Sequence, residues 1–173
     1  AAVNAYQRIP LILSMNPVKQ VVPRLQLPDA IIDGKAQGFF TDPTCKEGQF
    51  IPFFYPAPGH SPIKILYKYG GAQIGTMPNS NRWAQMYQSD SLEMVVSQSI
   101  WFEGEAQFAD IILPACTNFE RTDISEWCSA GGYGHQFFTQ LNHRMIMMQH
   151  KCIEPLGESK SDYQIFLELS KKM

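Results

Sequence analysis

The chain has 173 residues, 45% of them hydrophobic, and a formal net charge of −2. That length supports one sizeable core and makes two independent domains a stretch. The scattered basic residues give no electrostatic case for nucleic acid or an anionic membrane. No apolar run approaches the ~20 residues of a membrane span, and the opening AAVNAYQR has neither Met nor a signal-peptide pattern. The sequence is expected to be an internal excerpt of a larger chain.

In chain order, Pro10 to Met15 (PLILSM) reads as a short buried strand broken by Asn16-Pro17. Val18, Val21, Val22 and Leu25 then recur at helical spacing, interrupted by Pro23. Pro28 to Asp33 predicts a short helix with Pro at its first position and Gly34 as its stop. From Lys35 to Pro62 no periodicity stands out, but Phe39, Phe40, Phe50, Phe53, Phe54 and Tyr55 are too many aromatics for disorder. This stretch is expected to be a long aromatic and proline-rich loop, with IPFFYPAPGHSP a candidate pocket wall. Tyr55 is a candidate acid/base there, with His60 beside it in the pocket. The alternative is that Phe53, Phe54 and Tyr55 only anchor the loop to the core.

Ile63 to Tyr69 (IKILYKY) alternates like a strand and runs into Gly70-Gly71-Ala72-Gln73. Glycines directly after a strand permit a tight turn or close backbone approach to a ligand. Asn79 or Ser80 can cap a following helix whose Trp83, Met86 and Tyr87 share one face. Leu92 to Val96 is the next strand, with Ser97-Gln98-Ser99 at its end, and a short helix through Glu105 and Ala109 follows. Asp110 to Pro114 has no alternation and is expected to be a strand covered on both faces, as in a parallel sheet. Ligands of such sheets bind at the strands' carboxyl ends, which is where the loop carrying Asn118, Glu120, Arg121 and Asp123 begins.

Ser129 to Gly134 predicts a glycine turn, Met145 to Gln149 a strand, and SDYQIFLELSKK an amphipathic helix. Ser161 is a candidate cap of that helix, Asp162 lies in its first turn, and Tyr163, Phe166 and Leu167 are expected to face inward. Cys45, Cys116, Cys128 and Cys152 form no CxxC pair, and His60, His135, His143 and His150 are dispersed, so no metal ligand set is expected within the segment. The fold class expected is α/β, doubly wound around a mostly parallel sheet.

The stretch VVSQSIWFEGEAQFADIILPACTNFERTD resembles the signature of the large subunits of molybdopterin oxidoreductases of the dimethyl sulfoxide reductase family. That signature is a strand, a polar pair, an acidic helix, ADIVLPA, and a Glu followed by a basic residue. IKILYKYGGAQIG is similar to the family's strand ending in Gly-Gly-Asn-Pro, and EPLGESKSDYQIFLEL to its P-x-G-E-x-x-x-D lead into a helix. The three motifs occur in the family's order.

The resemblance implies that residues 1–173 are a single Rossmann-like domain holding one molybdopterin guanine dinucleotide, half of a molybdenum bis(molybdopterin guanine dinucleotide) cofactor. Carried over by position, Ser97, Gln98 and Ser99 contact the nucleotide, Arg121 is its basic partner, and Asp162 meets the guanine. Gly70, Gly71, Ala72, Gln73 and Asn79 fall on the same nucleotide edge. Ala72-Gln73 replaces Asn-Pro, so the family's Asn contact is lost or passes to Gln73 or Asn79. Gln98 stands where many members have Asp. The molybdenum ligand lies earlier in such polypeptides, and the segment alone should be inactive.

Within the family, the likeness implies hydroxyl transfer between polyhydroxylated benzenes, with Phe119 an apolar wall for a small aromatic polyol. Expected partners are the remaining domains of the chain and a small iron-sulfur subunit, in the cytoplasm. One alternative is oxygen-atom transfer by an S- or N-oxide reductase. The alternative of another class is a non-enzymatic α/β nucleotide-binding module.

Overall fold

The computed structural model describes residues 4–6, 18, 20–40, 50–70, 72–102, 104–125, 127–129 and 147–173. The strand expected at Pro10–Met15, Gly71, most of the glycine turn after Ser129, His135 and His143 lie outside them. The chain forms two compact units, one of Asn16–Ala115 with Asp162–Met173, the other of Ala1–Met15 with Cys116–Ser161.

The first unit is built on a parallel sheet of β4 (Ile65–Tyr69), β5 (Met94–Ser99) and β6 (Ile111–Pro114), in the order β4-β5-β6. Tyr69 is in register with Gln98, and Gln98 with Leu113. α3 (Ser80–Tyr87) packs on one face, and its apolar residues at i, i+3 and i+4 (Trp83, Met86 and Tyr87) are buried with Ile31 and Val95. α1 (Leu27–Ile32) begins one residue before the expected start, so Pro28 is its second residue, and Gly34 at φ +66 follows the helix end. Arg82 of α3 holds α1 by hydrogen bonds to Asp29 at 2.9 Å and Asp33 at 2.8 Å.

Four expectations are corrected in this unit. Val18 and Gln20 to Val22 are not helical. Only Arg24–Gln26 forms a 3-10 turn, because Pro23 interrupts the ladder and Val18, Val21 and Leu25 are exposed. The aromatic stretch contains β2 (Ala36–Phe40) paired antiparallel with β3 (Ile51–Tyr55). Strand alternation buries Phe53 and Tyr55 and leaves Phe54 out. Gly38 belongs to this pairing, since a Cβ there would meet the Phe53 ring at 3.2 Å.

The apolar run Ile111–Leu113 is not covered on both faces. β6 pairs with β5 alone among the described residues, and Ile111 and Ile112 are 44% and 41% exposed. In α4 (Asp162–Ser170), Ile165 is the buried residue while Tyr163 is 76% exposed, and Lys171 and Lys172 follow the helix end. Phe166 packs its ring 5.8 Å from Tyr67 and 5.7 Å from Tyr69.

In the second unit, β1 (Asn4–Tyr6) pairs antiparallel with β8 (Trp127–Ser129), and β7 (Asp123–Ser125) with β9 (Met147–Gln149). The loop after Pro114 is pinned by buried Glu120. Its carboxylate accepts from the Thr117 N–H and hydroxyl at 2.7 Å each, and from the Leu156 N–H at 2.7 Å. These bonds hold the Glu120 carboxyl below the usual carboxylate range, the Thr117 hydroxyl contributing most.

Candidate functional site at the carboxyl edge of the parallel sheet

β4 is followed by Gly70, whose φ of +59 lets the chain turn out of the sheet while its N–H donates to Gln98 O at 3.2 Å. Ala72 then precedes α2 (Gln73–Thr76) without offering a side-chain cap. The cap comes from Glu105 in the 3-10 turn Gly104–Phe108, whose carboxylate accepts from Gln73 N at 2.7 Å and Ile74 N at 3.4 Å. Glu105 also pairs with Lys68. Burial raises the Glu105 pKa, but the bonds from Lys68 and the Gln73 N–H outweigh it and hold the carboxyl below its ordinary value.

Gln73 and Asn79, the candidates to replace the family's Asn, both turn their side-chain oxygens to their own chain. Gln73 Oε1 accepts from the Tyr87 hydroxyl at 3.0 Å. Asn79 caps α3 from a left-handed backbone (φ 59) by accepting from Arg82 N at 3.4 Å.

The end of β5 sends neighbouring side chains to opposite faces of the sheet, as the period of two requires. Gln98 shares a face with Tyr67 and Tyr69, against which α4 lies; Ser97 shares the other with Lys68 and Val95, toward α3. The Tyr67 hydroxyl donates to Gln98 Oε1, and Gln98 Nε2 donates to Asp162 Oδ1 at 2.6 Å. Burial and the Asp162 charge both raise the Tyr67 pKa, which keeps the phenol protonated as the donor. Two residues 64 positions apart thus meet at the sheet edge.

Ser97 is buried, and its hydroxyl has no hydrogen-bond partner among the described residues. An unmet buried hydroxyl costs about 1–3 kcal/mol, which a ligand acceptor at the strand end would relieve. Ser99 caps the following turn by accepting from Trp101 N at 3.3 Å. An acceptor-only carboxylate, an orphaned buried hydroxyl and a glycine turn suit a group with amide-like donors on one part and acceptor oxygens on another. A guanine nucleotide has both.

The Tyr55 hydroxyl is buried and accepts from Ile63 N at 2.6 Å, the anchoring geometry that was the alternative to acid/base work. His60 is half-buried, and its backbone N–H closes a turn to Ala57 O at 2.9 Å. Arg121 and Phe119 belong to the second unit. There Arg121 lies 3.2 Å from the Asp123 carboxylate and donates to Asn118 Oδ1 at 3.2 Å, while Phe119 is 66% exposed.

Sequence reasoning missed Tyr67, Lys68 and Glu105. A lysine inside a strand of a parallel sheet was the available signal, because such a charge is buried only with a partner.

A strand, a glycine turn and a helix beside a polar strand end make this an α/β unit with a three-stranded parallel sheet. The sequence profile of the Molybdopterin oxidoreductase family matches residues 48–172, and the chain belongs to that family of enzymes, which use a molybdenum-pterin cofactor. It is 54% identical over 158 residues to the Pyrogallol hydroxytransferase large subunit of Pelobacter acidigallici, covering 89% of this chain and 18% of that protein. It is 32% identical over 111 residues to the Dimethyl sulfoxide/trimethylamine N-oxide reductase of Cereibacter sphaeroides, covering 64% of this chain and 12% of that one. A Trimethylamine-N-oxide reductase of Pasteurella multocida is 32% identical over 132 residues, 76% of this chain and 14% of its own. The chain spans less than a fifth of the length of these relatives.

Proposed function

We propose that this chain is the part of a molybdenum enzyme that grips one molybdopterin guanine dinucleotide of a bis-dinucleotide cofactor, in a Rossmann-like setting. The observation that carries the reading is the Gln98–Asp162 hydrogen bond of 2.6 Å, which joins the end of β5 to the start of α4 at the sheet edge. Asp162 accepts from guanine N1–H and the exocyclic amine, a pattern adenine cannot match. A charge-assisted bond of this kind contributes about 1.5–3 kcal/mol. Ser97 donates its hydroxyl to an acceptor oxygen of the nucleotide, and the Gly70 turn keeps side chains out of its path. When bound, the cofactor supplies the oxygen-transfer chemistry at molybdenum. This chain's residues orient it and keep its guanine end in register.

The whole enzyme moves a hydroxyl between polyhydroxylated benzenes, taking pyrogallol to phloroglucinol, with a small iron-sulfur subunit as partner in the cytoplasm. The support is the 54% identity to a protein named as a pyrogallol hydroxytransferase. Acid extraction of the purified full-length protein should release GMP and a pterin together with molybdenum. Incubation with pyrogallol should form phloroglucinol, and protein that carries molybdenum yet leaves pyrogallol unchanged would refute the substrate assignment.

A second reading, reduction of S- or N-oxides, is favoured by the two oxide reductases at 32% identity. Oxidation of a reduced viologen dye on adding trimethylamine N-oxide would select it.

A further inference from the structure

Lys68 and Glu105 form an ion pair whose side chains are only 6% and 1% exposed. Stability does not account for it, because desolvating two charges offsets most of their attraction and well-packed apolar residues do as well or better. What apolar residues could not do is accept hydrogen bonds. The Glu105 oxygens take the N–H groups of Gln73 and Ile74, the first two of α2, at 2.7 and 3.4 Å. In an α/β nucleotide edge these are the groups normally turned toward a phosphate. Here the chain's own carboxylate occupies them, and Lys68, two residues before the Gly70 turn, neutralises that carboxylate. On its far side the turn is held again, where Tyr87 donates to Gln73 Oε1 at 3.0 Å.

We infer that Lys68 and Glu105 are a positioning pair: they fix the start of α2 in the form that receives the nucleotide beside Gly70, and they close that helix start to phosphate. The pair touches no ligand; it acts through the turn. The inference rests on the proposed dinucleotide site and assigns the phosphates to the β5 side of the edge, where Ser97 lies.

The test compares two charge-free double variants of the full-length, cofactor-loaded protein. Lys68→Met/Glu105→Leu removes both the charges and the acceptor, whereas Lys68→Met/Glu105→Gln removes the charges and keeps an acceptor for the Gln73 N–H. Acid-released GMP per polypeptide after gel filtration is measured beside the thermal unfolding midpoint. A positioning role predicts similar midpoints, GMP near the wild-type level in the Gln variant, and about tenfold less in the Leu variant, where the Gln73 N–H is left without an acceptor. Equal GMP in the two variants, high or low, overturns the inference. Glu105→Asp keeps the pair but withdraws the carboxylate by one methylene, so it covers the case in which a double variant does not fold. It should lower GMP content, and wild-type content in Glu105→Asp also overturns the inference. Wild-type protein with molybdenum but no GMP would instead overturn the dinucleotide reading itself, and the inference with it.

Discussion

Gln98 donates its amide to Asp162 at 2.6 Å while its oxygen accepts from the Tyr67 hydroxyl, so the amide has one orientation and Asp162 one place. The resemblance puts Gln98 where many family members are expected to carry Asp. An amide there gives Asp162 a donor where a second carboxylate would have repelled it. Gln98 therefore steadies the Asp162 carboxylate, the group proposed to meet the guanine. Asp162→Asn presents a donor where guanine also donates, and should lower acid-released GMP in the full-length protein by about 10-fold or more. Unchanged GMP content would remove Asp162 from the site.

Tyr55 offers a separation of anchoring from catalysis. Its hydroxyl accepts from Ile63 N at 2.6 Å, so Tyr55→Phe strands a part-buried N–H. The expected result is a loss of about 1 kcal/mol in stability with turnover retained. Lost turnover at an unchanged unfolding midpoint would show that the phenol works as an acid or base.

The core beneath the sheet edge is the part least tolerant of change. Met86 is fully buried on α3 among Trp83, Ile31 and Val95. Met86→Ala should cost about 2–5 kcal/mol through the lost burial and the cavity left behind. Gln88 at the exposed end of the same helix should tolerate Ala with a change under ~0.5 kcal/mol. Comparing chemical denaturation of the two variants checks the assignment of the buried face.

The helix α3 and its Asn79 cap were legible because local chemistry decides them: a capping side chain, then apolar residues at helical spacing. The β4-Gly70 turn was legible for the same reason. The β2–β3 pairing was not, because Phe39 and Phe40 and then Phe53 and Phe54 are adjacent aromatics that blur the alternation. Nor was the exposure of Ile111 and Ile112, since an apolar run states what a strand could bury and not what covers it. The Tyr67–Gln98–Asp162 chain was half legible. The motif positions gave Gln98 and Asp162, but only tertiary structure brings Tyr67 onto their face of the sheet. Lys68 reads as one polar residue in an alternating strand, and although a short helix through Glu105 is legible, nothing local pairs Glu105 with a lysine 37 positions away.

The second unit makes a prediction in acid. Glu120 bridges Thr117 and Leu156 and has a carboxyl held below its ordinary value of 4.5 by those hydrogen bonds. The folded form therefore binds this proton less readily than the unfolded chain does. Its contribution to stability is complete above pH 4.5 and is lost as the pH falls from there through the lower folded-state value. Glu120→Gln keeps the shape and one acceptor oxygen but carries no charge at any pH. Deuterium exchange of the peptides containing the Thr117 and Leu156 amides should be faster in Glu120→Gln than in wild type at pH 6. The difference should shrink as both are taken below pH 4.5, because the wild-type carboxylate then becomes protonated. A difference that stays constant across that range would mean that the bridge depends on shape alone and that the charge of Glu120 contributes nothing to holding the loop.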